Sequence, residues 1–142
     1  MPTLKDFPAT GRVASADSET VTFLPQNTSY ELKLQTPAKY EGPLNARVEG
    51  LIRLSARKVY TVPSGGNFIA PIFGPPRIVQ GRIKYLDDRN LVVQAGTAVI
   101  VELPISDAAY DLVNGPLSVG QLVNVTVLPG AKFEFLGVPA IR

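Results

Sequence analysis

The sequence contains no histidine, no cysteine and no tryptophan. Without histidine it lacks the commonest general acid–base and the commonest metal ligand. Without cysteine there is no disulfide framework, no thiolate zinc site and no sulfur nucleophile. Ser-His-Asp and Cys-His catalysis are therefore excluded. No apolar run approaches the roughly 20 residues that a membrane-spanning helix needs. The opening Met1–Pro8 segment has no apolar stretch of the kind a secretory signal carries. These absences lead us to expect a cytoplasmic protein that is not an enzyme, holds no metal or cofactor, and does not enter membranes.

Acidic residues are also thinly spread. Asp87-Asp88 is the one adjacent acidic pair, and it reads as a solvated turn between strands. Asp107 and Asp111 share a face of a candidate helix but have no third acidic neighbour, so they read as surface charge. Ser64-Gly65-Gly66-Asn67 is glycine-rich, yet it opens a strand-like run and lacks the Lys-Ser/Thr of a phosphate-cradling loop. We read it as a hairpin turn.

What the chain does have is an ordinary globular composition, 45% hydrophobic and 18% charged over 142 residues. It also repeats itself. Gly11-Arg12-Val13 through Asp17 is answered by Gly81-Arg82-Ile83 through Asp87, at an offset of 70. Val21–Leu24 is answered by Leu91–Val93, and Tyr30-Glu31-Leu32 by Val101-Glu102-Leu103. Gly42-Pro43-Leu44 is answered by Gly115-Pro116-Leu117, and Val48–Leu54 by Val119–Val125. Each half closes on a Gly/Pro-rich stretch ending in arginine, at Arg77 and Arg142. The order of features is kept throughout, which is the mark of a duplication. The expected units are residues 1–77 and 78–142, joined at Gly74-Pro75-Pro76, where proline stops regular structure.

The second unit reads most clearly. Val79–Tyr85 alternates with period 2, as a half-buried strand does. Asp87–Asn90 is a turn. Leu91–Gln94 and Ala98–Leu103 are the next strands. Ser106 caps a short helix over Pro104–Val113 that Asn114-Gly115 ends. Val119–Leu128 is a fourth strand, and Pro129-Gly130 turns into a fifth at Lys132–Leu136. This order, with the opening Gly-Arg-Ile/Val and the Leu117–Val127 run, resembles the OB-fold, in particular its S1-type branch. The resemblance implies an all-β protein of two tandem five-stranded barrels, with the short helix in the second. The first unit departs from the pattern, because Thr36–Gly42 is too short and Pro-interrupted for that helix. The rival architecture is a single β-sandwich.

Two functions compete. The first is a structural or protein-interaction module acting through self-association or a protein partner, since Val, Leu and Ile abound and the prolines guard strand edges. The second follows from the resemblance: OB-folds bind single-stranded nucleic acid on a basic groove with stacking aromatics. Residues 1–77 carry a net charge of +3 and residues 78–142 of −1. The candidate basic face comprises Arg12, Lys33, Arg53, Arg57 and Lys58, with Phe23 and Tyr30 as stacking rings. Arg53 and Arg57 are expected on one face of their strand, opposite Ile52 and Leu54. The second unit has Val93, Val101 and Asn124 where the first has Phe23, Tyr30 and Arg53. Against this reading, Phe23 and Tyr30 equally suit a core or the packing between units.

Overall fold

A computed structural model describes residues 3–87, 89–103, 110–111 and 117–138. Over these residues the chain is all-β, apart from one 3-10 turn at Leu4–Asp6. Twelve strands form one mixed sheet. In the first half they are β1 (Ala9–Ala16), β2 (Thr20–Pro25), β3 (Glu31–Gln35), β4 (Arg47–Thr61), β5 (Phe68–Ala70) and β6 (Phe73–Gly74). In the second half they are β7 (Ile78–Leu86), β8 (Asn90–Gln94), β9 (Ala98–Glu102), β10 (Tyr110–Asp111), β11 (Leu122–Val127) and β12 (Lys132–Gly137).

The pairing closes on itself twice. The path β1-β2-β3-β12-β4 returns to β1 through Arg12↔Arg47 and Gly11↔Val48. The path β7-β8-β9-β4-β11 returns to β7 through Val123↔Gly81 and Val125↔Val79. Closure leaves few unpaired edges. Strand β4 belongs to both circuits. Its first half pairs β1 and β12, and its second half pairs β9 and β11. Strands β11 and β12 run end to end along β4, not against each other. Val123 to Val127 face Thr61 to Ala56, and Lys132 to Gly137 face Arg53 to Glu49. Each circuit therefore contains one strand drawn from across Arg77.

Pro129-Gly130 leads into a strand at Lys132–Gly137, as expected, whereas the expected hairpin at Ser64–Asn67 is corrected. Pro129-Gly130 does not fold β12 back on β11, because both edges of β11 are occupied, by β4 and β7. It carries the chain from one circuit into the other. Ser64–Asn67 does not close a hairpin on β4, whose second half is likewise paired on both sides. The chain goes on to β5, which pairs β7. Only part of the Pro104–Val113 helix segment lies within the described residues. That part, Tyr110–Asp111, is extended and pairs in parallel with Val59–Tyr60.

Several sequence matches make matching contacts. The register of β1 on β2 slips between Val13 and Ser15, and that of β7 on β8 between Ile83 and Tyr85. Gly11 and Gly81 sit where strands cross too closely for a side chain. A Cβ would meet the Leu24 carbonyl oxygen at 2.2 Å at the first, and that of Gln94 at 2.2 Å at the second. Further along, the sequence match slips by four residues. Val48 faces Gly11 and Val123 faces Gly81, so the partner of Val48 is Val123, not Val119.

Asp17 and Asp87 build the same turn. Asp17 accepts from the backbone N–H of Glu19 and Thr20, at 2.9 and 2.7 Å. Asp87 accepts from those of Arg89 and Asn90, both at 2.8 Å. These backbone donors hold both carboxyls below the usual carboxylate range, Glu19 leading at Asp17 and Arg89 at Asp87. A depressed native pKa contributes stability that is complete above the unfolded value near 3.8 and is lost as pH falls through the native value. The expected result is acid destabilisation that is shallower in an Asp17→Ala/Asp87→Ala variant. Urea titrations from neutral pH downward test this, and identical acid slopes would refute it.

The core is continuous. Val13, Phe23, Leu32, Ile52 and Phe133 of one circuit share a buried cluster with Val79, Ile83, Val93, Val101 and Val125 of the other. A second cluster joins Leu51 of β4 to Val92 and Ile100, with Leu4 and Phe7 packed against it. Gly50, Leu51 and Ile52 are all buried, as a strand with packing on both faces requires.

Candidate basic face and groove

The seven candidate residues do not gather on one surface. Phe23 is fully buried, its ring 4.8 Å from that of Phe133. It offers no face to a base, which corrects its expected role. The pattern Val21, Phe23 inward and Thr22, Leu24 outward explains why. Tyr30 precedes β3, and its hydroxyl is committed twice. It donates to the Ala95 carbonyl at 3.2 Å and accepts from the Ile69 N–H at 3.0 Å. That ring ties the turn after β8 to β5.

Arg53 is half-buried, and its Nε donates to Glu134 Oε1 at 3.0 Å, neutralising it from β12. Arg57 is the extra residue of a bulge, since Ala56 faces Val127 and Lys58 faces Thr126. Burial alternates from Ile52 up to the bulge, so Arg53, Ser55 and Arg57 share one face of β4 opposite Leu54 and Ala56, as expected, and the alternation breaks only at Lys58. Arg57 and Lys58 are both exposed, as is Lys33 on β3. Lys33 helps hold the Asp17 carboxyl in its charged form, after the backbone donors.

Arg12 sits in different company. It faces Leu24 on β2 and Arg47 on β4, and all three line a groove of ≈ 390 Å³ floored by Gly11 and walled by the Pro25–Thr28 turn. A second cleft of ≈ 310 Å³ shares Gln26, Asn27 and Arg47 with it and continues to Gln94, Gly96 and Thr97. Asn27 takes a positive φ of 63°, which turns the chain sharply at the groove wall. Arg12 and Arg47 are cross-strand neighbours, a spacing at which like charges repel. Among the described residues the single ion pair is Arg53–Glu134, so neither guanidinium has an acidic partner. Glu49, on the same strand as Arg47, instead accepts from Thr10 Oγ1 at 3.5 Å.

The other circuit lacks this arrangement. Arg82, the counterpart of Arg12, faces Gln94 and Leu122, and its Nη1 donates to the Gly120 carbonyl at 2.9 Å. Arg47 was missed by sequence reasoning. It ends the irregular Gly42–Ala46 stretch, and only the register of β1 on β4 brings it to Arg12.

Among the described residues no three His, Cys, Asp or Glu side chains converge as a metal site, and no helix is long and apolar enough to cross a membrane. No family model, no curated protein and no solved structure matches the chain.

Proposed function

We propose that this protein is a non-enzymatic structural or protein-interaction module, built as two OB-like five-stranded barrels of the S1 type that exchange their fifth strands. The observation that carries the interaction reading is an apolar arm. Phe68, Ile72, Phe73 and Ile78 are 37%, 49%, 66% and 38% exposed within one short stretch of chain. Phe68 and Ile78 lie diagonally on the outer face of the β5–β7 pair, given Phe68↔Gln80 and Ala70↔Ile78. Aromatic and aliphatic side chains left this exposed in one short segment mark a place where another surface docks. Two barrels locked by exchanged strands make a stiff platform for that arm.

The architecture rests on the two closed circuits, the matched bulges and the matched aspartate turns. A single-stranded nucleic acid on Arg12, Lys33, Arg53, Arg57 and Lys58 is the weaker reading, because Arg53 is neutralised and neither candidate ring is free to stack.

Light scattering over a concentration series tests the module. The expected result is a concentration-dependent oligomer that Phe73→Asp, at an exposed site, returns to monomer. A strict monomer whose Phe73→Asp variant keeps every protein contact of the parent would overturn it.

A further inference from the structure

The groove at Arg12 and Arg47 presents two cations that form no ion pair among the described residues. Arg12 and Arg47 stand directly opposite on β1 and β4, both exposed, and both line the same ≈ 390 Å³ space. Guanidinium stays protonated and presents a planar fork of donors. Together Arg12 and Arg47 carry a charge of two, and neither forms an ion pair among the described residues; Glu49, two residues from Arg47, is bonded to Thr10 instead. A phosphate monoester carries about −1.5 to −2 near neutral pH and has three acceptor oxygens, so it matches the pair in charge and in donor geometry. A carboxylate would leave half of the charge uncompensated.

The rest of the space says what else the ligand carries. Beyond Gln26 and Asn27 the adjoining cleft is lined by Thr10, Gln94, Gly96 and Thr97, and its one charged side chain is Arg47 itself. Amides and hydroxyls of this kind pair with hydroxyl groups. The positive charge lies at one end, whereas a nucleic-acid strand would need it along the track. No aromatic ring is among the described residues lining either cleft, so a nucleobase has nothing to stack on. We propose that this groove binds the phosphate monoester of a sugar or similar polyol, with the phosphate between Arg12 and Arg47 and the hydroxyls along Gln26, Asn27, Gln94 and Thr97. This site is independent of the apolar arm.

Isothermal titration of the full chain with glucose 6-phosphate at low salt tests the proposal. The expected result is saturable binding, with glucose silent and inorganic phosphate weaker. Arg12→Gln and Arg47→Gln should each lower affinity by about tenfold or more, as loss of a charge-assisted contact does. Arg82→Gln should leave it unchanged. Relief of the Arg12–Arg47 repulsion means that Arg47→Gln should unfold no earlier than the parent on heating, which separates loss of binding from loss of fold. No saturation by glucose 6-phosphate would overturn the proposal, as would binding indifferent to Arg47→Gln. Equal affinity for inorganic phosphate would overturn the sugar assignment. Tighter binding of oligothymidylate would replace the small ligand with a nucleic-acid strand.

Discussion

Cutting the chain after Arg77 is expected to give two pieces that are each unfolded alone and that regain the native β signature when mixed. Each closed circuit takes one strand from the far side of that cut. Residues 1–77 lose β12, and with it Phe133, which is buried against Phe23 and Tyr40. Residues 78–142 lose the second half of β4, and with it the buried Ala56 and Val59. The ladder groups of β9, β11 and β4, and that of β3 at Gln35, would then face water unpaired, while the core stood open. A domain of this size buries too little surface to absorb such a loss. Far-UV circular dichroism and amide exchange on each fragment, then on the equimolar mixture, provide the measurement. Cooperative unfolding of residues 1–77 by themselves would show that the exchanged strand is dispensable.

The second large effect is expected at Phe133. Its ring lies 4.8 Å from Phe23 and 6.5 Å, edge on, from Tyr40. It also covers Gly50, where a Cβ would come within 2.3 Å of the ring. Phe133→Ala should cost about 3–5 kcal/mol, the sum of lost transfer energy and the cavity left behind. That is a large share of the roughly 5–15 kcal/mol by which a domain is stable. Gly50→Ala alone should cost about 1–3 kcal/mol by overpacking against the same ring. Because the two positions touch, Gly50→Ala combined with Phe133→Leu should cost less than the separate effects added together. Denaturant titrations of the parent, Gly50→Ala, Phe133→Leu and their combination complete the cycle, with Phe133→Ala titrated beside them. Strict additivity, or a Phe133→Ala cost below about 1 kcal/mol, would mean that this ring does not fill the first circuit.

Much of this was legible in residues whose effects are local. Alternation marked β7, since side chains on a strand point to opposite faces in turn, and apolar runs marked β2 and β8. Asp17 and Asp87 announced their turns because an aspartate bonds the backbone within three residues of itself. Arg12 was visible as part of the Gly-Arg signature. What was not legible depended on partners distant in sequence. Pro129-Gly130 has the chemistry of a hairpin, and nothing nearby reveals that both edges of β11 are already taken. The bulge at Arg57 hid the continuity of β4 by breaking its alternation. Phe23 was the instructive case at the site. Its alternation with Thr22 pointed inward, whereas the fold resemblance assigned it outward, and the local physics prevailed. Arg47 gave no local sign at all, being positioned by a strand more than thirty residues earlier.

The dual membership of β4 sets an order of events during synthesis. β1, β2, β3 and the first half of β4 are made early, but their circuit stays open between β3 and β4 until Lys132–Gly137 has been made. Until then β4 and the end of β3 beyond its β6 pairing offer unpaired backbone to whatever strand is nearest, including the same segment of a neighbouring nascent chain. Long-range closure of this kind is slow and exposes edges while it waits. Crowded synthesis should therefore produce chains threaded into one another, with β12 of one molecule completing the first circuit of the next. The same geometry that locks the finished protein makes its yield sensitive to how many copies are being made at once.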